Sequence, residues 1–405
     1  TGTTGNGWAE LLERGPRSTI SLGGSISLSN DAEFTDWMRV ILDHPGLMML
    51  GATGAVRSSG DETDGTWHDK LVAALVAPLE APPLPDAVYP GDSVAISVGP
   101  DVPGSRAIVT GLVHLLVAQG VRFADIKILG PTAALVEPIV MANDQAHVCQ
   151  IEHHADDPES LAMVGVSRHN FPIYLNKHLV EADVVIPIVL LNRDKALTLS
   201  GSIYPTWSSA ETQDRLRGHQ AEQCEEAKEA ENLVCPFLMI GVIPAPGGEQ
   251  GEVVAGLRPA IQHYAKQRLK ALWTAAPAQH AAVLATLEAH YDMGLWDRVR
   301  RAIENAVALS SDQAPIILWL APDVGRSSQP LGSARKRSSE KSRLIEIIEE
   351  VTRHRPIFLA SDLDANEVEE LGLGAIESLA EFQKLINRSP DLAVIRDADR
   401  WRIHE

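Results

Sequence analysis

The sequence predicts an α/β protein built from two domains with mostly parallel sheets. Short apolar runs alternate with amphipathic helical stretches in both halves, and 405 residues, 45% of them hydrophobic, are enough for two cores. A Glu-rich polar segment over 213–232 separates the halves. We therefore expect one α/β domain over residues 1–232 and another over 233–405, with a ligand site in the interdomain cleft.

The clearest local pattern is a βαβ unit. The apolar run Val94–Val98 precedes a Gly/Pro-rich loop, apolar residues recur at helical spacing over 106–120, and a second apolar run follows at Ile126–Leu129. Ser105 is placed to cap the helix. A crossover of this kind puts the loop after the first strand at the carboxyl edge of the sheet, where α/β proteins bind ligands. Asp101, the only carboxylate of that loop, is either an acid/base group or a solvated turn residue.

The remaining elements follow the same alternation. In the first half we expect a helix over 67–79, strands over 147–151, 173–176 and 183–189, and a solvated helix over 213–232. In the second half we expect strands at 237–242, 251–256, 314–320, 357–360 and 392–395, with helices at 295–309, 344–351, 366–371 and 378–386, the last capped by Ser378. The Ser/Gly/Pro-rich and basic stretch over 325–342 is typical of a surface loop.

Composition limits the classes of molecule that the protein is expected to bind. The formal net charge of −19 argues against nucleic acid and anionic membrane surfaces, which this field would repel. Three scattered cysteines fit neither a disulfide framework nor a zinc knuckle, and no apolar stretch reaches the length of a membrane span. These features predict a cytoplasmic protein.

Several blocks of sequence, in a fixed order, resemble the nickel-pincer-dependent lactate racemase family. The most similar runs over His147–Leu161, Pro172–Asn176 and Glu181–Ile186, and others lie at Leu75–Leu84, Gly251–Gly256 and Leu295–Ala302. The resemblance covers roughly residues 70 to 400. It implies two α/β domains and a 2-hydroxy-acid racemase or epimerase, an isomerase that moves a hydride onto a nickel-carrying nicotinic-acid-derived cofactor tethered to a lysine.

The first two ligand loops depart from the family pattern. The family's Asp-Asp-x-Thr-Arg-Pro loop grips the substrate carboxylate with its arginine. This chain has Gly-Pro-Asp-Val-Pro-Gly-Ser-Arg over 99–106, so Asp101 and Arg106 are the candidate substitutes. The next family loop supplies a catalytic histidine, whereas Gly130–Ala134 contains none.

The cofactor loop also differs. Counted back from Pro205, Ser200 and Gly201 stand where the family has its cofactor-binding run, and Gly201 takes the place of the tethering lysine. Lys195 is the nearby lysine, assigned here as a candidate catalytic and cofactor-linked residue, and His219 is the candidate metal ligand. These residues are either realigned equivalents of the family's groups or surface residues of a retained scaffold.

Two further candidates come from aromatic and imidazole side chains. Trp296, at the start of its helix, either stacks on a planar cofactor or packs within its domain. The neighbours His153 and His154 form the sequence's adjacent histidine pair, but adjacent strand residues point to opposite faces and rarely share one metal ion.

The sequence thus leaves three functions open, of which one is a different chemistry in the same cleft, without nickel, and the other two are more specific. One is racemisation or epimerisation of a 2-hydroxy acid. The alternative is a non-catalytic homologue that binds a small carboxylate or a protein partner. Because the lysine and histidine positions are replaced, we expect neither a covalent nickel-pincer adduct nor stoichiometric nickel.

Overall fold

The computed structural model describes most of the chain between residues 41 and 403. The described residues are 41, 44–50, 67–99, 102–130, 149–191, 202–216, 220–234, 236–246, 251–287, 295–320, 339–361 and 363–403. The chain divides into two compact units, one formed by Ser59–Leu272 and the other by Thr1–Ser58 together with Trp273–Glu405. Each is an α/β unit, so the predicted fold class is confirmed.

The 59–272 unit is built on a six-stranded sheet. In chain order its strands are β2 (Val94–Val98), β3 (Ile126–Leu129), β4 (Cys149–Ile151), β7 (Val184–Leu190), β8 (Met239–Ile243) and β9 (Glu252–Gly256). The spatial order is β4-β3-β2-β7-β8-β9, and every neighbouring pair is parallel except β8 with β9. An antiparallel hairpin, β5 (Leu161–Val166) and β6 (Pro172–Asn176), lies outside this sheet.

Helices of this unit pack on both faces of the sheet. They are α1 (Trp67–Val76), α2 (Ser105–Ala118), α3 (Lys177–Val180), α4 (Ala210–Leu216), α5 (Gln220–Val234) and α6 (Arg258–Leu272). Val94, Ile96 and Val98 belong to one buried cluster, whereas Ala95 belongs to another. Because alternate residues of a strand face opposite sides, both sides of β2 are covered, which explains its continuous apolar run.

The second unit contains a six-stranded sheet in which all paired strands are parallel. Its strands are β1 (Leu47–Leu50), β11 (Val283–Leu287), β12 (Ile316–Leu320), β13 (Ile357–Ala360), β14 (Gly374–Ile376) and β15 (Leu392–Ile395), in the order β1-β15-β11-β12-β13-β14. Its described helices are α7 (Leu295–Leu309), α8 (Ser339–Thr352), α9 (Ala365–Glu369) and α10 (Leu379–Ile386). A small parallel pair, β10 (Thr274–Ala275) and β16 (Arg402–Ile403), completes it.

The division between the units differs from the boundary that the sequence suggests between residues 232 and 233. Strands β8 and β9 continue the first sheet, since β8 pairs with β7 through Ile188 and Ile240 and β9 pairs with β8. The segment 213–232 is also not wholly solvated. It forms parts of α4 and α5, and Ala227 and Ala230 of α5 are fully buried against the sheet.

The structure tests two predicted helix N-caps, Ser378 and Ser105. Ser378 caps α10, because its hydroxyl accepts a hydrogen bond from Glu381 N at 3.3 Å, as predicted. The prediction that Ser105 caps α2 was wrong, since Gly104 is the N-cap residue and no side chain caps the helix. Within the described residues, no helix has the length and apolar character needed to cross a membrane.

Candidate functional site

The sheet has a topological switch point between β2 and β7, where the order of the strands along the chain reverses. From β2 it moves outward through β3 to β4, and β7 then pairs with the other side of β2. Gly99 N donates to Ile188 O at 2.8 Å, so the two strands leave the sheet side by side. The crevice outside the carboxyl ends of strands at such a switch point is where open α/β sheets bind ligands.

The loop after β2 leads directly into α2. Gly104 has a φ of 66°, and a Cβ atom there would lie 2.4 Å from Cε2 of Trp67, so both the backbone conformation and the space require glycine. Helix α2 then starts without a side-chain cap and without an acidic residue in its first turn. Arg106, exposed in that turn, adds a positive charge to the positive end of the helix dipole. This edge therefore favours an anion.

The predicted site residues divide into two groups. Arg106 lies in α2 at the switch point, and Trp296 is half-buried in the first turn of α7 in the other unit. The other predicted site residues lie outside the described residues: Asp101, Lys195, Ser200, Gly201 and His219. Their assignments stay predictions, although the strands that precede Asp101 and Lys195 are neighbours.

A buried charged network fixes the segment that follows the candidate cofactor loop. Glu226 of α5 is 1% exposed and accepts hydrogen bonds from Tyr204 Oη at 2.7 Å and from the Nη1 and Nη2 atoms of Arg215 at 2.8 and 2.7 Å. Burial acts to raise the pKa of Glu226, but the hydrogen bonds from Arg215 and Tyr204 outweigh it and the pKa is lowered. The carboxylate is therefore ionised and fully partnered.

This network holds residues 202–216 against the sheet. Arg215 also stacks over the Phe171 ring, with 4.1 Å between guanidinium carbon and ring centroid, and Trp207 Nε1 donates to Ser202 O at 2.8 Å. Burial and the contact with Glu226 raise the pKa of Tyr204, which keeps its hydroxyl protonated as a donor. Sequence reasoning missed the network, because spacings of 11 and 22 residues match no local pattern.

His153 belongs to the same structural support. Asn176 Nδ2 lies 3.2 Å from His153 Nδ1, and His153 Nε2 lies 2.9 Å from Ser208 O. Since Ser208 O can only accept, Nε2 carries the proton and Nδ1 accepts from the amide. Burial lowers the pKa of His153, which favours this neutral form. Both ring nitrogens are engaged, so neither is left for a metal ion.

The second sheet has its own switch point, between β11 and β15. Arg298 of α7 and Asp399, which follows β15, are both buried and joined by a 2.8 Å hydrogen bond from Nε to Oδ2. Asn305 Nδ2 donates to the carbonyls of Ala398 and Trp401 at 2.8 and 2.9 Å. These bonds fix α7, the helix that carries Trp296, to the turn after β15.

The metal prediction has no support among the described residues. Within the ranges given above, no three His, Cys, Asp or Glu side chains cluster in a way that could hold a metal ion. His219 and Lys195 lie outside those ranges.

The topology defines an α/β protein with two mostly parallel, doubly wound sheets, and comparison with solved structures gives the same fold. The lactate racemase apoprotein from Thermoanaerobacterium thermosaccharolyticum matches with a TM-score of 0.60 and 16% identity, over 84% of this chain and 93% of that one. A protein from Thermotoga maritima matches with a TM-score of 0.51 and 11% identity, over 83% of this chain and 96% of that one. Comparison with curated proteins gives no match.

Residues 52–211 match the family model described as the lactate racemase N-terminal domain. This match confirms, for this part of the chain, the resemblance predicted from the sequence. The matched region contains β2, α2, β3 and β7, and with them the switch point described above.

Proposed function

We propose that this lactate-racemase-like protein binds a 2-hydroxy acid or a related small carboxylate at the β2–β7 switch point. The observation that carries the proposal is the uncapped start of α2, with Arg106 in its first turn, inside the region that matches the lactate racemase N-terminal domain. A carboxylate is the anion that such a site accommodates, because backbone N–H groups and a guanidinium both donate to it.

The reaction that we propose for this site is racemisation or epimerisation of the bound 2-hydroxy acid. Asp101 is the proposed acid/base group, and Lys195 is the proposed second catalytic residue. Support for this assignment is topological, since the strands that precede both residues are adjacent and parallel. An Asp101–Lys195 separation above roughly 20 Å, too far for one small ligand to bridge, would contradict it.

A non-catalytic role in binding a small carboxylate is the second candidate. Gly201 stands in place of the tethering lysine, and Gly130–Ala134 lacks the loop histidine. The sequence thus lacks groups that the family's reaction uses, while the anion-favouring edge is kept.

The proposal includes a cytoplasmic location. The three scattered cysteines, Cys149, Cys224 and Cys235, agree with it.

Calorimetric titration with D-lactate and L-lactate, paired with a chiral assay of the product, separates the two candidates. Binding with interconversion supports the racemase, binding alone supports the non-catalytic homologue, and no binding of either acid contradicts both. Arg106→Ala should raise the Kd at least about tenfold, as expected for loss of a charge-assisted hydrogen bond. The matched control is Arg122→Ala, because Arg122 pairs with Asp125 just before β3 and so lies at the opposite edge of the sheet.

A further inference from the structure

Two buried serine hydroxyls of the 59–272 unit have no hydrogen-bond partner in the part of the chain that the structure describes. Ser97 in β2 is 0% exposed and Ser202 is 1% exposed, and the Oγ atom of each is unsatisfied. Leaving a buried hydroxyl without a partner costs free energy, and native proteins rarely do so without a reason. Two such groups in one region therefore point to a partner other than the protein.

Both serines adjoin one buried cluster on one side of the sheet. Ser97 lies two residues after Ala95, so the two side chains share a face, and Ser97 is also the register partner of Leu129. Ala95, Leu129 and Ile203 form one buried cluster on that face. Ser202 directly precedes Ile203, and its carbonyl is held by Trp207 Nε1. Both residues therefore adjoin this cluster, and Ser97 does so one residue short of the carboxyl end of β2.

The three other buried serines of the described residues each have a hydrogen-bond partner. The Ser208 hydroxyl donates to Pro205 O at 2.6 Å, and the Ser310 hydroxyl donates to Val307 O at 3.1 Å. Ser167 Oγ accepts from Phe171 N at 3.2 Å. Ser97 and Ser202 differ from these in lacking a partner.

We propose that Ser97 and Ser202 are ligand-binding residues whose hydroxyls hydrogen-bond the bound 2-hydroxy acid. This inference rests on the proposed function and adds two uncharged ligand-binding residues to that site. A hydroxyl both donates and accepts, so it can donate to a carboxylate oxygen and accept from the 2-hydroxyl group of the ligand. The serines would select an acid that carries a hydroxyl group.

Serine-to-alanine substitution separates ligand binding from a role in folding. Because each hydroxyl is unsatisfied in the free protein, Ser97→Ala and Ser202→Ala should leave the Tm of the free protein unchanged or raise it. The same variants should raise the Kd for lactate about tenfold each. Ser208→Ala is the matched control, since its hydroxyl has a partner, and it should lower the Tm without changing the Kd.

Propionate, which lacks the 2-hydroxyl group, is the second probe. Wild-type protein should bind lactate more tightly than propionate, and the double variant Ser97→Ala/Ser202→Ala should lose most of that difference. Wild-type lactate affinity in both single variants overturns this inference while leaving the proposed function in place. A lowered Tm with unchanged affinity also overturns it, because the hydroxyls would then serve the fold through bound water. Absence of any lactate binding by the wild type overturns the proposed function and this inference together.

Discussion

Removal of Arg215 should destabilise the protein strongly, because it leaves a buried carboxylate with one partner. Arg215 supplies two of the three hydrogen bonds that Glu226 accepts, and Tyr204 supplies the third. Breaking a buried ion pair by deleting one partner costs roughly 3–5 kcal/mol. The Arg215 side chain is 22% exposed, so water can enter after truncation, and we expect about 3 kcal/mol for Arg215→Ala at pH 7.

The sign of the pH dependence is fixed by the same contacts. The folded protein lowers the pKa of Glu226, so this carboxylate's contribution to stability is present above the unfolded pKa and is lost as the pH falls through the folded value. In Arg215→Ala, burial without the guanidinium should instead raise that pKa. As the pH falls, the stability difference between wild type and variant should therefore begin to shrink above about pH 4.3, the ordinary glutamate pKa, and should go on shrinking below it.

Urea denaturation followed by tryptophan fluorescence and circular dichroism, at pH 7 and pH 4, measures this difference. Arg122→Ala is the control, since Arg122 and Asp125 form an exposed pair and the midpoint should stay near that of wild type. A loss below about 1 kcal/mol at pH 7 for Arg215→Ala, which is the size expected of an exposed ion pair, would refute the account of Glu226 as a buried charge that depends on Arg215.

Three other outcomes are expected. Burial raises the pKa of Glu231 to about 7, although Arg258 Nη1 donates to its Oε2 at 2.7 Å. Wild type should therefore lose stability as the pH rises from 4.5 to 7. Glu231→Gln should abolish this pH dependence of the free energy of unfolding, as measured by urea denaturation. Protein made alongside the cofactor-synthesis enzymes should show no covalent adduct by intact mass and no stoichiometric nickel; an adduct on Lys195 that is lost with activity in Lys195→Ala would reverse this expectation. Limited trypsin digestion should cut within 325–342 and spare α5, whose Ala227 and Ala230 are buried; early cleavage inside α5 would contradict its packing.

Local sequence patterns predicted many of the strands and helices correctly. The apolar run Val94–Val98 predicted β2 correctly because a strand covered on both faces has no polar positions. The spacing of apolar residues over 295–309 likewise matched α7, and the Ser378 cap was confirmed. At the site, the sequence pointed to the loop after β2 and to Arg106, since a βαβ crossover places that loop at the carboxyl edge.

The sequence by itself thus determined the α/β class, most strands and the resemblance of residues 52–211 to the lactate racemase N-terminal domain, because periodicity and motif order are local properties of the chain. Tertiary structure alone decided that β8 and β9 extend the first sheet, since strand order depends on pairing between distant segments. It also decided that Arg215 and Tyr204 meet Glu226, and that Ser97 and Ser202 are buried without partners. Hydrogen bonding of buried groups depends on which side chains the packing brings within about 3 Å, and no spacing along the chain records that.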